Sequence, residues 1–131
     1  MVKFFECGTC GNVAGLFADK GAPLFCCGKA MTLLEANTMD ASREKHVPEV
    51  TKAECGLCVK VGSTLHPMTA EHYIDFVFVK THNSGKFVKF DVAAAEPPET
   101  CLGHIDSNGD DSPVEVYAYC NLHGLWKTVV E

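Results

Sequence analysis

The sequence lacks an apolar run long enough to cross a bilayer, and its opening residues, MVKFFECGTCG, contain too short an apolar stretch for a signal peptide. We therefore expect a protein of the cytoplasm with no membrane partner. An excess of basic residues is also missing, because the formal net charge is −6. This acidity excludes nucleic acid as an expected partner, and an anionic substrate has to be attracted by a local field.

No amphipathic helix longer than one or two turns is evident. Instead, short segments with period-two alternation, rich in β-branched and aromatic residues, fill the chain from residue 49 onward. They read EVTKAE, CVKVGS, HYIDFVFVK, KFVKFDV, VEVYAYC and KTVV. THNSGK is typical of a hairpin loop, in which we expect Asn83 and Gly85 to adopt turn conformations. The pattern predicts an all-β protein with an immunoglobulin-like β-sandwich over residues 38–131.

Cysteine, by contrast, is abundant, with eight residues in the chain. In a reducing compartment this number favours metal ligation or redox chemistry over structural disulfides. Four of them, Cys7, Cys10, Cys26 and Cys27, form a C-x-x-C pair followed by an adjacent pair. A polar linker, ANTMDASREKH, follows, so residues 1–37 form a small domain that cannot bury much core and needs a metal for stability.

Four thiolates suit either zinc or iron in tetrahedral geometry, and a structural zinc ribbon stays an open alternative. Adjacent Cys26 and Cys27 cannot repeat the relaxed C-x-x-C turn of the first pair. We therefore expect a distorted tetrahedron, which favours iron.

A second set of ligand candidates lies in the predicted sandwich. His46, His66 and His72 lie at strand edges or in loops near prolines, and CNLHGLW places Cys120 and His123 three residues apart. Four imidazoles and one thiolate suit iron, copper or zinc. The sole tryptophan, in the same segment, is interpreted as a core anchor, and His82 in the hairpin loop as a solvated side chain.

The motifs EKHVP, KVGSTLHPMTAEHYI and YCNLHGLWK, in this order after C-x-x-C and C-C, resemble the desulfoferrodoxins, the two-iron superoxide reductases of anaerobes. The resemblance covers nearly the whole chain. It implies a desulforedoxin-like domain over residues 1–37 and a neelaredoxin-like domain over residues 38–131. It also implies one-electron reduction of superoxide to hydrogen peroxide, a detoxification that requires an external electron donor.

The resemblance implies two irons per chain, whose ligands follow residue by residue. A four-cysteine iron falls on Cys7, Cys10, Cys26 and Cys27, and the catalytic iron on His46, His66, His72 and His123 with Cys120 as the axial thiolate. Lys45 is expected to steer superoxide, and Glu44 to occupy the sixth position of the oxidised iron. Backbone N–H groups of Leu122 and His123 are expected to point at the Cys120 sulfur. A rubredoxin-like donor and a homodimer are the implied partners.

Three cysteines have no role in that pattern. Cys55, Cys58 and Cys101 are interpreted first as free thiols and next as containing a reversible Cys55–Cys58 disulfide. A third metal site that also uses His104 is a further alternative. For the protein as a whole, the alternative to the enzyme is a rubredoxin-like electron-transfer or metal-storage protein that uses only the N-terminal iron, and a purely structural zinc protein comes third.

Overall fold

The computed structural model describes residues 2–82, 84–103 and 113–130. The chain divides into two compact units, Met1–Glu35 and Ala36–Glu131. Within the described part of the chain, no helix is long and apolar enough to cross a membrane.

The first unit consists of very short strands. They are β1 (Lys3–Glu6), β2 (Val13–Leu16), β3 (Phe25–Cys26), β4 (Lys29–Ala30) and β5 (Thr32–Leu33). β1 lies between β2 and β5, and β3 pairs with β4 in a separate ribbon. Among residues 2–35, the buried apolar residues are only Val2, Phe4 and Cys7, whereas Phe17 and Phe25 are exposed. The unit therefore has little core of its own, as the sequence predicts.

The regular secondary structure described in the second unit consists almost entirely of strands. A one-turn helix, α1 (Arg43–His46), precedes β6 (Pro48–Ala53), β7 (Gly56–Val61), β8 (Ile74–Thr81), β9 (Gly85–Lys89), β10 (Glu99–Gly103), β11 (Pro113–Cys120) and β12 (Gly124–Val129). A 3₁₀ turn over Val92–Ala94 lies between β9 and β10. The strand pairs described in this unit are antiparallel and form one sheet in the order β10-β7-β6 and another in the order β12-β11-β8-β9.

The core of this unit draws alternate side chains from both sheets. Leu57, Val59 and Val61 of β7 belong to the same buried cluster as Val77 and Val79 of β8. Because successive side chains of a strand point to opposite faces, this alternation fixes which face of each sheet is buried. The predicted immunoglobulin-like sandwich in an all-β chain is confirmed.

Two local expectations are corrected. The start of the presumed linker packs on the second unit, because the Asn37 side chain donates to the carbonyl of Lys127 at 3.0 Å and accepts from its N–H at 2.9 Å. Gly85 belongs to β9 and has no positive φ, so it is not a turn residue. A Cβ there would lie 2.8 Å from the Phe78 ring, so the glycine leaves room for that ring. Asn83 lies outside the described residues.

Candidate metal centres

The four N-terminal cysteines converge. Their sulfur atoms all lie within 4.8 Å of one another, with 3.5 Å between Cys10 and Cys26 and 4.0 Å between Cys26 and Cys27. The C-x-x-C turn is closed by the Gly11 N–H, which donates to the Cys7 carbonyl. Gly11 has a φ of 81°, a conformation that glycine adopts without cost.

Cys27 explains how two adjacent residues reach one centre. Neighbouring side chains on a strand point to opposite faces, but Cys27 has a φ of 55°, in the left-handed region. This turn after β3 brings its sulfur to the same side as that of Cys26. A left-handed non-glycine residue costs roughly 1–2 kcal/mol, which ligation of a metal can offset.

The four thiols cannot all ionise without a cation. Backbone N–H groups of Cys10 and Thr9 donate to the Cys7 sulfur and hold the pKa of this thiol at about 6. Hydrogen bonds with the other cysteines raise the pKa of Cys27 to about 12. A metal ion would remove this competition by binding all four as thiolates, so the donor set fits a thiophilic metal.

A second cluster forms where several loops of the sandwich meet. His46 ends α1, His66 follows the turn after β7, and His72 lies just before β8. Cys120 is the last residue of β11, and His123 belongs to the turn into β12. The ligand atoms of His46, His66, His72 and Cys120 all lie within 4.8 Å of one another. His123 joins them, since its Nδ1 lies 3.1 Å from Nε2 of His46 and 3.9 Å from the Cys120 sulfur.

Backbone carbonyls determine which imidazole nitrogens face the centre of this cluster. Nδ1 of His46 lies 2.5 Å from the Ser42 carbonyl, and Nδ1 of His66 lies 2.7 Å from the Pro67 carbonyl. Since a carbonyl only accepts, each Nδ1 carries the proton and each Nε2 presents a lone pair. These two Nε2 atoms lie 3.2 Å apart, so two lone pairs face each other with no proton between them.

The remaining observations show that these donors suit a metal cation. Nε2 of His72 is buried and has no hydrogen-bond partner among the described residues. Desolvation lowers the pKa of His46 and of His72, and it lowers the pKa of His66 to about 4. The three imidazoles are therefore neutral, as metal ligation requires. Burying an unpaired polar atom lowers the stability of the folded state. A metal ion at the centre of the cluster would coordinate these imidazole nitrogens together.

The Cys120 thiol is fully buried, and burial raises its pKa. Interactions with the backbone N–H groups of Leu122 and His123 oppose that shift, in agreement with the predicted pair of donors. Such donors stabilise a thiolate and tune a bound metal. The sulfur lies 3.4 Å from Nε2 of His66.

Trp126 is fully buried, which confirms its interpretation as a core anchor. It also positions two histidines. Its indole N–H donates to the His123 carbonyl at 3.0 Å, and its ring stacks on His46 with 5.0 Å between the centroids.

Glu44 and Lys45 are exposed residues of α1, the helix that ends at the ligand candidate His46. The positive charge of Lys45 lowers the pKa of both His46 and His72, so its field reaches the cluster. The Glu44 carboxylate accepts a hydrogen bond from the Ser42 hydroxyl at 3.3 Å. An open pocket of about 300 Å³ lies beside Glu44.

Two residues that the sequence interpretation missed hold the loops in place. Asn121 accepts from the N–H of Tyr73 at 2.8 Å and donates to the Glu71 carbonyl at 3.0 Å, so it fixes the segment that carries His72. Gly62 has a φ of 88°, and a Cβ there would lie within 2.8 Å of the carbonyl oxygens of Glu44 and Lys45. Both residues lie inside the quoted motifs, but neither received a role there, because neither is a metal ligand candidate or a charged residue.

The prediction for the three remaining cysteines is corrected. Cys58 and Cys101 form a disulfide between neighbouring strands, and Cys55 keeps a free thiol. Cys58 and Cys101 are directly opposite in the β7–β10 register, which the sequence could not reveal because β10 was not predicted. His104 lies outside the described residues. His82 is exposed, as predicted.

Comparisons with known proteins identify relatives of the whole chain. The family model described as desulfoferrodoxin matches residues 38–129. A desulfoferrodoxin of Syntrophotalea carbinolica is 39% identical over 127 residues, covering 97% of this chain and 95% of the relative. A desulfoferrodoxin of Nitratidesulfovibrio vulgaris is 35% identical, covering 95% and 94%. The crystal structure of the superoxide reductase from Treponema pallidum has a TM-score of 0.78 and 33% identity, and the match covers 98% of both chains.

The geometry and the comparisons agree on the cofactor. A four-cysteine cluster and a cluster of histidines with Cys120 lie in one chain, as the two iron centres of a desulfoferrodoxin require. Facing lone pairs in one cluster and competing thiols in the other show that each donor set fits a cation. The chain, with its two iron centres, belongs to the desulfoferrodoxin family.

Proposed function

We propose that this protein is a superoxide reductase, which transfers one electron and two protons to superoxide and forms hydrogen peroxide. The single observation that carries the proposal is the convergence of neutral imidazole lone pairs beside a buried thiol. The name of the Treponema pallidum structure supports the same activity, as does that of a Pyrococcus horikoshii superoxide reductase with 29% identity over 109 residues.

The ligands proposed for the catalytic iron are His46, His66, His72, His123 and Cys120. When bound, the iron supplies the redox chemistry by cycling between the ferrous and ferric states. Four neutral imidazoles add no charge and the thiolate adds one negative charge, so a ferrous site keeps a net charge of about +1. With iron bound, the site would therefore be cationic and would attract a small anion.

The charged pair beside the site has two proposed roles. Lys45 attracts superoxide, because its field reaches His46 and His72 in a protein of net charge −6. Glu44 would be a further ligand of the oxidised iron; it is exposed and precedes Lys45 in α1.

The four-cysteine iron, proposed on Cys7, Cys10, Cys26 and Cys27, is an accessory electron-transfer centre. Cys10 and Cys27 are exposed, so a donor protein can approach this centre closely. We propose a rubredoxin-like protein as the donor, a homodimer as the assembly and the cytoplasm as the location. The two compact units are proposed to be the desulforedoxin-like and neelaredoxin-like domains.

An electron-transfer protein that uses only the N-terminal centre would have no use for the second cluster. That cluster contains His46 and His66, each at most 3% exposed, and the unpartnered Nε2 of His72. Burying such groups without a ligand costs stability. The observation therefore favours the enzyme over the electron-transfer alternative.

The test combines metal analysis with a single-turnover reaction. We expect two irons per chain, with thiolate-to-iron charge-transfer bands in the visible spectrum. The reduced protein should consume superoxide generated by pulse radiolysis and form hydrogen peroxide without releasing dioxygen. Zinc in both sites of the native protein, or release of dioxygen in the proportion expected for dismutation, would reject the proposal.

A further inference from the structure

The Cys58–Cys101 disulfide lies on the solvent face of the three-stranded sheet. Leu57, Val59 and Val61 of β7 are buried in the core, so the side chain of Cys58 points to the opposite face. Cys101 is its direct partner in the antiparallel register and is exposed. The disulfide is therefore accessible to another molecule, unlike a disulfide buried between the two sheets.

A third sulfur lies next to this disulfide. Cys55 occupies the turn between β6 and β7, is exposed and has a free thiol. Its sulfur lies within 4.8 Å of the sulfurs of both Cys58 and Cys101. A thiolate at this distance needs only a small side-chain movement to attack the disulfide, since exchange proceeds by direct attack of sulfur on sulfur.

Two glycines hold the Cys55 turn against β10. Gly56 has a φ of 115°, and a Cβ there would lie 2.2 Å from the carbonyl carbon of Gly103. The register between β10 and β7 shifts between Cys101 and Gly103, which allows this close approach. The backbone thus keeps the third sulfur beside the disulfide.

We propose that Cys55, Cys58 and Cys101 form a thiol–disulfide exchange site that accepts two electrons from a dithiol. One thiolate of the dithiol attacks the Cys58 sulfur, forms a mixed disulfide and displaces Cys101, which takes up a proton. The second thiolate then attacks its partner sulfur in the mixed disulfide and releases Cys58, which is protonated in turn. The dithiol ends as a disulfide, and Cys58 and Cys101 end as two thiols.

Cys55 adds a second route that involves no net oxidation. Its thiolate attacks Cys58 and displaces Cys101, so that the disulfide moves from Cys58–Cys101 to Cys55–Cys58. The same attack expels an external thiol from a mixed disulfide on Cys58. In this way the site retains one internal disulfide after reaction with a single thiol.

The surface around the disulfide can admit such a substrate. A pocket of about 500 Å³ borders Cys58 and Cys101, with Thr51, Lys60 and Glu99 among its lining residues. This volume accommodates a small dithiol or the reactive end of a protein dithiol. Both substrates would react through a dithiol. The experiment below distinguishes a small dithiol from a protein dithiol.

The test uses the full-length, iron-loaded protein in mixtures of reduced and oxidised dithiothreitol, followed by acid quenching, alkylation and fragment mass spectrometry. At partial reduction, wild type should contain both the Cys58–Cys101 and the Cys55–Cys58 disulfide. Finding Cys58–Cys101 alone at every ratio, with Cys55 always alkylated, would overturn the proposal. A parallel reaction with reduced thioredoxin identifies the source: faster reduction than by an equal concentration of dithiothreitol assigns protein dithiols, and slower reduction assigns small ones.

Two variants make the test specific. In Cys101→Ser, Cys55 and Cys58 are the two remaining cysteines of the site, and we expect a disulfide between them in the same mixtures. If both stay thiols at every ratio, the proposed attack of Cys55 on Cys58 is wrong. In Cys55→Ser, reduction should produce two thiols with no second isomer. Iron content and superoxide consumption of Cys55→Ser should equal those of wild type, so the exchange site and the proposed reductase activity are tested separately.

Discussion

The two units of this protein place similar ligands in very different surroundings. In Met1–Glu35, the buried apolar residues are few, and Phe17 and Phe25 are 69% and 66% exposed. In Ala36–Glu131, a continuous core spans both sheets and includes Cys120. The comparison teaches that the metal substitutes for a core in the small unit, whereas a core holds the metal ligands in place in the large one.

The largest effect is expected from removing the thiolate of the large unit. Cys120→Ser should abolish superoxide reduction, because serine provides neither the negative charge nor the electron donation of a thiolate. Superoxide consumption with a reducing donor measures this. The visible spectrum of the four-cysteine iron should stay unchanged and is the internal control. Full activity would show that the Cys120 thiolate is not required as a ligand of the catalytic iron.

The second prediction tests whether the small unit depends on its metal for folding. Cys26→Ser should lose the four-cysteine iron spectrum and the dispersed amide resonances of residues 2–35, because this unit has little core without its metal. The reaction of the reduced catalytic iron with superoxide should persist. Dispersed resonances for residues 2–35 in the metal-free variant would show that the small unit folds without metal.

A smaller effect concerns electrostatic attraction in the large unit. Lys45→Ala should slow the bimolecular reaction with superoxide by roughly tenfold, within the range that steering allows. The wild-type rate should fall as salt screens the field over a Debye length of about 10 Å at 0.1 M. Pulse radiolysis across ionic strength measures both effects.

Lys29→Ala is the matched control for this charge change, since Lys29 is exposed in the small unit and the net charge changes equally. It should leave the rate nearly unchanged. Equal rates for wild type and Lys45→Ala at low salt would remove Lys45 from the mechanism.

The smallest expected effect tests the backbone that supports the charged pair. Gly62→Ala should lower the free energy of unfolding by about 2–3 kcal/mol, because the new Cβ meets three carbonyl oxygens at 2.4–2.8 Å and φ is 88°. Gly103→Ala is the control, with a φ of 69° but no atom nearer than 3.9 Å. It should cost about 1 kcal/mol. Urea unfolding monitored by Trp126 fluorescence measures the loss of unfolding free energy in both variants. Equal losses would show that the positive φ, and not the contacts of the new Cβ, determines the cost.

The sequence interpretation succeeded where the signal is local. Period-two segments predicted β6 to β9, β11 and β12, because each pattern lies within one strand. It missed β10, whose sequence ETCLG has only one buried residue, Leu102. It also treated Asn37 as part of a linker, because its hydrogen bonds are to Lys127, ninety residues along the chain.

What the sequence determined by itself is the chemistry of the donors: four clustered thiols, four imidazoles and a C-x-x-H pair in a fixed order, since the identity of a donor atom is a property of one residue. Only the tertiary structure decided how these donors face one another. The Ser42 and Pro67 carbonyls fix the protons of His46 and His66, and the β7–β10 register pairs Cys58 with Cys101 across 43 residues. Such arrangements depend on distant segments meeting in one register, which no local spacing specifies.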